Sequence, residues 1–256
     1  MKLLIDAGNS RTKWAWCPAS FGDEASWQFH AVENAEWLAA SGKAESLRQA
    51  VIEADQVWLS NVAGERWLQA LPIIMKSLHV VQATGAALGL RNHYSQPAQL
   101  GSDRWCSLLA VWRQFGQSAL VVTAGTAMTI DALLVSEHEA NFLGGSIQPG
   151  LRMMWQSLQQ GAAQLDYAYP EDIQWEAFAR NSQQAMWLGC VQALTAAIAM
   201  QYARLSDQAR TSPLLLLSGG DAQLLCRYLP HALSAQAIIV DNLVLKGLAC
   251  LAENTD

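Results

Sequence analysis

Leu3-Leu4-Ile5-Asp6-Ala7-Gly8-Asn9-Ser10-Arg11-Thr12-Lys13-Trp14 is the stretch of sequence that decides the fold. Its apolar beginning, Leu3 to Ile5, predicts a short buried strand that ends at Asp6. Gly8 permits a tight turn, and the run from Thr12 onward is typical of a return strand. The stretch is therefore predicted to form a β-hairpin with a polar tip.

The tip of this hairpin carries the groups that a metal-bound polyphosphate needs. It offers one carboxylate, a glycine turn with exposed amides, two small polar side chains and a lysine. The local pattern equally allows an ordinary hairpin in which Asp6 only stabilises the turn, because short motifs are weak evidence by themselves.

A second stretch of the same shape, Ala119 to Asp131, opens the second half of the chain. There an apolar strand leads into Ala124-Gly125 and then Thr126, as the first strand leads into Ala7-Gly8 and a polar residue. This match predicts a duplicated half-domain, with halves at 1–118 and 119–256. A chance likeness between two buried hairpins remains the alternative.

The rest of the chain alternates between apolar strands and amphipathic helices, which predicts an α/β fold with partly parallel pairing. Further strands are predicted near 25–32, 56–62, 79–81, 142–148, 214–217 and 237–240. Helices are predicted at 44–54, 64–77, 103–115 and 182–205, from 151 and 222 onward, and at 243–251.

Composition excludes several classes of function. A net charge of −6 and the lack of any Lys/Arg cluster argue against a nucleic-acid surface. The sequence contains no run of 18 apolar residues that would predict a membrane span, and the pattern from Lys2 onward predicts a strand and not a signal peptide. The five cysteines are scattered without metal-ligand spacing, as expected of reduced thiols in a cytoplasmic protein.

Gly101-Ser102-Asp103-Arg104 begins a predicted helix whose apolar face runs to Phe115. The local pattern favours Ser102 or Asp103 as a simple helix cap. The helix N-terminus should also lower the pKa of the Asp103 carboxyl and keep it ionised.

Four segments carry a family resemblance in order along the chain: 6–11, 101–104, 125–131 and 144–150. Together they resemble the type III pantothenate kinase family. Further matching pieces are Tyr94 with Pro97, the segment 181–185 with Gly189, 218–222 and 242–248, so the likeness spans Leu3 to Leu248.

The resemblance implies an actin-like kinase fold of two ribonuclease-H-like half-domains with a central cleft. It implies a phosphotransferase with an alcohol acceptor, which uses Mg²⁺ with ATP to convert pantothenate to 4′-phosphopantothenate, the first step of coenzyme A biosynthesis. It also implies a cytoplasmic homodimer whose subunits share the substrate site.

The resemblance further assigns roles to residues by position. Asp103 would be the catalytic base, and Asp6 would lie near Mg²⁺. The residues assigned to ATP phosphates are Asp6, Ala7, Gly8, Asn9, Ser10, Arg11, Thr12, Lys13 and Thr126. The residues assigned to pantothenate are Tyr94, Gly101, Ser102, Asp103, Arg104 and Ser182, with Arg104 suited to its carboxylate.

The sequence departs from the family pattern at three positions. Ser10 and Ser182 stand where the family more often has Thr, and each keeps the hydroxyl. Thr123 stands where many members carry an Asp that helps bind a monovalent cation, K⁺ or NH₄⁺. A neutral hydroxyl binds a cation more weakly, so we assign no metal role to Thr123.

Two other functions remain open at this stage. One is another small-molecule kinase of the actin-like fold, acting on a different alcohol or acid. The other is a non-catalytic, nucleotide-binding regulatory accessory protein. The presence of Asp103 and Arg104 beside intact phosphate turns argues against the second, as does the absence of a basic face.

Overall fold

The computed structural model describes residues 1–18, 26–72, 76–136, 139–170 and 177–254. The strands are β1 (Lys2–Ala7), β2 (Arg11–Trp16), β3 (His30–Glu33), β4 (Gln56–Asn61), β5 (Leu78–Val80), β6 (Ala86–Ala87), β7 (Leu90–Asn92), β8 (Ala119–Ala124), β9 (Ala127–Ser136), β10 (Glu139–Pro149), β11 (Leu214–Ser218) and β12 (Ala237–Ile239). The helices are α1 (Asn34–Leu38), α2 (Glu45–Glu53), α3 (Glu65–Gln69), α4 (Ser102–Phe115), α5 (Leu151–Gly161), α6 (Ser182–Gln208), α7 (Ala222–Tyr228), α8 (His231–Ser234) and α9 (Leu243–Glu253).

The chain forms two compact units, and both are discontinuous in sequence. The first unit comprises Met1–Gly116, Glu137–Leu143 and Asn242–Asp256. The second unit comprises Gln117–Ser136 and Gly144–Asp241.

The sheet of the first unit has the strand order β3-β2-β1-β4-β5. The β1–β2 and β2–β3 pairs are antiparallel, and β4 and β5 add in parallel. Side chains alternate between its faces, since Leu3 and Ile5 pack in one buried cluster with α2 and Leu4 packs in another with α4 and α9. The predicted N-terminal hairpin is confirmed.

Five strands of the second sheet, which has seven strands in the described part of the chain, repeat this plan in the order β10-β9-β8-β11-β12. Its hairpin β8–β9 is antiparallel, while β11 and β12 add in parallel. Leu120, Val122 and Ala124 of β8 pack with α5, α6 and α7 in a single buried cluster. The same order of five strands, started by a hairpin, occurs in both sheets and fits the predicted pair of ribonuclease-H-like halves.

The last helix, α9, belongs to the first unit although it lies at the end of the chain. It packs against α4 and β1, and Gly247 permits the close approach. A Cβ atom at Gly247 would lie 1.9 Å from the backbone oxygen of Cys106 on α4. The division at 118/119 stays a prediction; the compact units follow it near Gly116, but 137–143 and 242–256 are counted with the first unit.

Several local predictions are corrected. The predicted helix 64–77 ends at Gln69, because Pro72 disfavours helical geometry in the residues before it, and 73–75 lie outside the described residues. Of the predicted strand 25–32, β3 contains only the last residues and begins at His30.

All five cysteines are free thiols. No helix in the described part of the chain has the length and apolarity needed to cross a bilayer.

Replacing Gly247 by alanine tests the contact between α9 and α4. We expect Gly247→Ala to lower the free energy of unfolding by about 1–3 kcal/mol, because a methyl group must push two packed helices apart. Gly189→Ala on α6 is the matched control, since nothing lies within 4 Å of a Cβ at that position.

The control should gain roughly 0.5–1 kcal/mol from the higher helix propensity of alanine. Urea unfolding of both variants measures the difference. Equal effects of the two substitutions would contradict the close packing of α9 on α4.

Candidate active site

The predicted phosphate-binding hairpin brings its charged groups to one face of the first sheet. Asp6 lies opposite Lys13 on β2 and beside Ser60 on β4. Each of the three lies two residues along its strand from a residue of the buried cluster that contacts α4 and α9. These cluster residues are Leu4, Ala15 and Trp58, respectively. Because side chains alternate along a strand, Asp6, Lys13 and Ser60 face α4 and α9.

The tip of the hairpin is held by a residue that sequence reasoning missed, Asn34 at the start of α1. Its Nδ2 donates to the backbone oxygens of Gly8 at 2.7 Å and Asn9 at 3.1 Å. Its Oδ1 accepts from the Thr12 hydroxyl at 2.8 Å, and its backbone N–H donates to Ser10 at 2.9 Å. These four hydrogen bonds between the buried Asn34 and the hairpin fix the shape of the turn.

The residues assigned to ATP phosphates differ in how much of each residue is exposed to solvent. Asn9, Ser10 and Arg11 are exposed at the tip, and Arg11 forms an ion pair with Glu33 at 2.5 Å. Thr12 and Ala7 are fully buried. The Thr12 hydroxyl also accepts a bond from Trp67 Nε1 at 2.8 Å, so this side chain supports the turn from inside.

Asp103 lies in the first turn of α4, and Gly101 is the residue before the helix. Gly101 occupies the N-cap position, so the prediction of Ser102 or Asp103 as the cap residue is wrong. Asp103 Oδ1 instead accepts from the backbone N–H of Arg104 at 2.8 Å. A Cβ atom at Gly101 would lie 2.6 Å from this oxygen, which is too close. Glycine at this position therefore leaves space for the Asp103 carboxylate.

Ser102 ties the start of α4 to the sheet. Its hydroxyl lies 2.8 Å from that of Ser60, and both side chains are buried. Ser60 is the neighbour of Asp6 in the sheet. The Ser60–Ser102 bond therefore holds the first turn of α4 near the end of β1.

The carboxyl of Asp6 has a strongly perturbed pKa. The pKa rises from 3.8 to about 7, mainly because burial removes hydration and secondly because of the charge of Asp103, while Lys13 acts in the opposite direction. Asp6 nevertheless keeps part of its surface exposed. The two acidic groups thus interact electrostatically within the first unit, as paired carboxylates at active sites do.

The pKa of Asp103 is also raised, because burial outweighs the bonds from the N-terminal N–H groups of α4 and the nearby charge of Arg104. The N–H groups at the helix N-terminus act to lower this pKa, as expected, but the expected net lowering of the pKa is wrong. The carboxyl is still partly exposed. A carboxylate with a raised pKa is a better proton acceptor than one held well below its usual range.

Arg104 is buried and is held by aromatic side chains. Its Nη1 donates to the Tyr94 hydroxyl at 2.9 Å, and the guanidinium lies 5.7 Å from the Tyr94 ring centre and 5.9 Å from that of Phe142. The two rings pack 5.3 Å apart. Phe142 is a supporting residue that the sequence reasoning missed, since nothing in its local pattern links β10 to Arg104.

Thr126 lies in the tight turn between β8 and β9 of the second unit, and it is exposed. Two glycines approach this turn closely. Gly150 donates to the Thr126 backbone oxygen at 3.0 Å, and a Cβ on Gly219 would lie 2.1 Å from the oxygen of Ala124. Gly219 also has a φ of 96°, which favours glycine.

Ser182, the other assigned residue of the second unit, is the first residue of α6 and is exposed. Asn181 caps this helix by accepting from the Gln184 N–H at 2.9 Å. Thr123 lies opposite Thr129 in the β8–β9 hairpin. The Thr129 hydroxyl is buried with no hydrogen-bond partner in the described part of the chain.

Comparison with known proteins identifies the family of this site. The sequence profile of type III pantothenate kinase matches residues 2–204. A protein of that name from Chromobacterium violaceum is 38% identical over 254 residues, covering 98% of this chain and 99% of its own. Another from Laribacter hongkongensis is 35% identical and covers 98% of both chains.

The chain belongs to the type III pantothenate kinase family. The two relatives align with this chain over nearly the whole length of both sequences, so the family membership applies to the entire chain. The match therefore includes both hairpins, the start of α4 and the start of α6.

Solved structures agree with the fold of this family member. A structure from Campylobacter jejuni, described as a conserved putative Baf family transcriptional activator, superposes with a TM-score of 0.59 at 21% identity and covers 98% of this chain and 97% of its own. A putative 2-dehydro-3-deoxygalactonokinase from Sinorhizobium meliloti gives a TM-score of 0.54 at 12% identity over the full length of both chains. These likenesses support the actin-like kinase fold.

The raised pKa of Asp6 predicts how the stability of the metal-free protein depends on pH. Between pH 3.8 and about 7 the folded state keeps a proton on Asp6 that the unfolded state has lost. The free energy of unfolding therefore falls as the pH rises through this range. Asp6→Asn removes this contribution. The variant should therefore gain about 2 kcal/mol relative to the wild type between about pH 5 and about pH 7.5.

Asp55→Asn serves as the control, because Lys76 and the N-terminus hold the pKa of exposed Asp55 down at about 2. Its difference from the wild type should not change over the same pH range. Urea unfolding in EDTA measures all three proteins, and a pH-independent difference for Asp6→Asn would contradict the raised pKa.

Proposed function

We propose that this chain transfers the γ-phosphoryl group of ATP to the primary hydroxyl of pantothenate. The product is 4′-phosphopantothenate, and the reaction is the first step of coenzyme A biosynthesis. The observation that carries the proposal is the placement of Asp6, beside Lys13 and Ser60 in the first sheet, where the Ser60–Ser102 bond holds the first turn of α4 with Asp103. Family membership supports the choice of substrate.

Asp103 is the proposed base for the pantothenate hydroxyl. Its carboxylate sits at the start of a helix, partly exposed, with one oxygen bonded to the Arg104 N–H. Phosphoryl transfer has a loose transition state, so a single carboxylate that orients the hydroxyl and accepts its proton is sufficient. The raised pKa of Asp103 supports this role.

The turn from Gly8 to Arg11 is proposed to hold the phosphates, with Lys13 adding positive charge. The bonds from Asn34 keep the backbone of this turn in one shape. Asp6 is the proposed Mg²⁺ ligand, and the metal would neutralise charge on the phosphate oxygens. Mg²⁺ in nucleotide sites is usually bound by one or two carboxylates together with phosphate oxygens. The described residues contain no group of three or more Asp, Glu, His or Cys side chains that could hold a metal, and a site with Asp6 as its carboxylate agrees with this.

Arg104 is proposed to bind the carboxylate of pantothenate, with Tyr94 beside it. A guanidinium can hold a carboxylate by two parallel hydrogen bonds. The Tyr94 hydroxyl and the rings of Tyr94 and Phe142 restrict where the guanidinium can point. Gly101 and Ser102 complete the proposed pantothenate site within the first unit.

Thr126 and Ser182 of the second unit are proposed to contact ATP and pantothenate, respectively. This assignment, the homodimer and the cytoplasmic location rest on the family resemblance. We assign no residue to K⁺ or NH₄⁺, because the neutral Thr123 does not supply the negative charge that the family pattern places there.

Release of ADP from ATP tests the function and the role of Asp103 together. We expect ADP release that requires pantothenate, and Asp103→Asn should lower kcat by about 10²–10⁴-fold with nucleotide binding retained. Asp55→Asn, a carboxylate substitution on the surface of the same unit, should leave kcat unchanged.

The outcomes separate the competing functions. ADP release with another alcohol or acid in preference to pantothenate would indicate a different small-molecule kinase. Nucleotide binding without any ADP release would indicate an accessory protein, and near-normal turnover of Asp103→Asn would show that Asp103 is not the base. The assay in potassium and then in sodium shows whether a monovalent cation is needed.

A further inference from the structure

Asn242 lies immediately before α9 in an uncommon backbone conformation. Its φ and ψ are 57° and 34°, in the left-handed region. Within the described residues, Ala40 and Leu88 are the other non-glycine positions with positive φ. Asparagine tolerates this conformation better than most residues, although it still costs energy.

The side chain of Asn242 does not have the usual role of an asparagine at a helix start. Such a residue normally accepts a bond from an N–H in the first turn of its own helix, but the Asn242 side chain makes no such bond. Its Oδ1 instead accepts from Nζ of Lys13 at 3.2 Å. This bond joins positions 229 residues apart, within the first unit.

Lys13 is the basic residue opposite Asp6 in the β1–β2 pair. A lysine ammonium is a point charge on a flexible stem, so without an acceptor it can occupy many positions. The neutral amide oxygen of Asn242 restricts the ammonium without cancelling its charge. Among the described residues the ammonium donates one hydrogen bond, to Asn242, which leaves two of its three donors for an anion.

Helix α9 gives Asn242 a rigid base. Gly247, five residues further on, lies against the Cys106 backbone on α4, and Leu245 and Leu248 are fully buried in the cluster beneath the sheet. Asp103 lies one turn before Cys106 on α4. The same helix therefore supports both the ammonium of Lys13 and the turn that carries Asp103.

We propose that Asn242 is a positioning residue that holds the Lys13 ammonium beside Asp6, ready to bind the phosphates of the nucleotide. The inference rests on the proposed function, in which Lys13 contacts ATP phosphates. It adds a residue of the C-terminal helix to a site otherwise built from β1, β2 and α4.

Asn242→Gly tests this proposal, because glycine adopts the left-handed conformation freely and removes only the amide. We expect the Kd of a non-hydrolysable ATP analogue with Mg²⁺, measured by calorimetry, to rise about tenfold. In a Lys13→Met background the same change should have less than about a twofold effect, because the bonded partner is already absent. The KM for ATP should rise while the KM for pantothenate stays unchanged.

Ala40→Gly is the matched control, since it places a glycine at another left-handed position of the first unit. It should leave the Kd unchanged. Asn242→Asp is a second variant that keeps the acceptor and the backbone preference but adds a negative charge. Its Kd should also rise, because the new carboxylate competes with the phosphates for Lys13. Thermal unfolding checks that each variant is folded.

The inference is overturned if Asn242→Gly binds the analogue as the wild type does, or if it weakens binding equally in both Lys13 backgrounds. Unchanged binding by Asn242→Asp would also contradict it. A wild type that binds the analogue but does not phosphorylate pantothenate would refute only the proposed substrate. A wild type that binds no nucleotide would refute both proposals.

Discussion

The site in the first unit depends on one constraint: two acidic groups, Asp6 and Asp103, are held close together at the carboxyl end of the central strand β1. Asp6 lies near the end of β1 and Asp103 in the first turn of α4, and the charge of Asp103 raises the pKa of Asp6 beyond what burial alone imposes. Lys13 offsets part of this effect from the neighbouring strand. A site with this excess of negative charge favours a cation, and phosphate-bound Mg²⁺ matches the charge and the small number of carboxylates.

The surrounding structure keeps these groups in position through uncharged contacts. Asn34 holds the turn, the Ser60–Ser102 bond ties α4 to β4, and Gly247 lets α9 pack against α4. Such contacts add little negative or positive charge to the site. They therefore fix its geometry while leaving its electrostatics to Asp6, Asp103 and Lys13.

The fold was largely predictable from periodicity, whereas the supporting contacts were not. The two hairpins and the α/β alternation follow from local apolar patterns, and most helices start near their predicted residues. The return of α9 to the first unit depends on long-range packing that a local pattern does not report. The same is true of Asn34 and Asn242, and of the balance at Asp103, where burial outweighs the helix N-terminus.

The Mg²⁺ dependence of nucleotide affinity tests the central claim most directly. Calorimetry with a non-hydrolysable ATP analogue, in Mg²⁺ and in EDTA, should give a Kd for the wild type that is lower with Mg²⁺ by at least about tenfold. In Asp6→Asn this difference should largely disappear, because the carboxylate that attracts the metal-bound phosphates is gone. An equal effect of Mg²⁺ on both proteins would contradict the account.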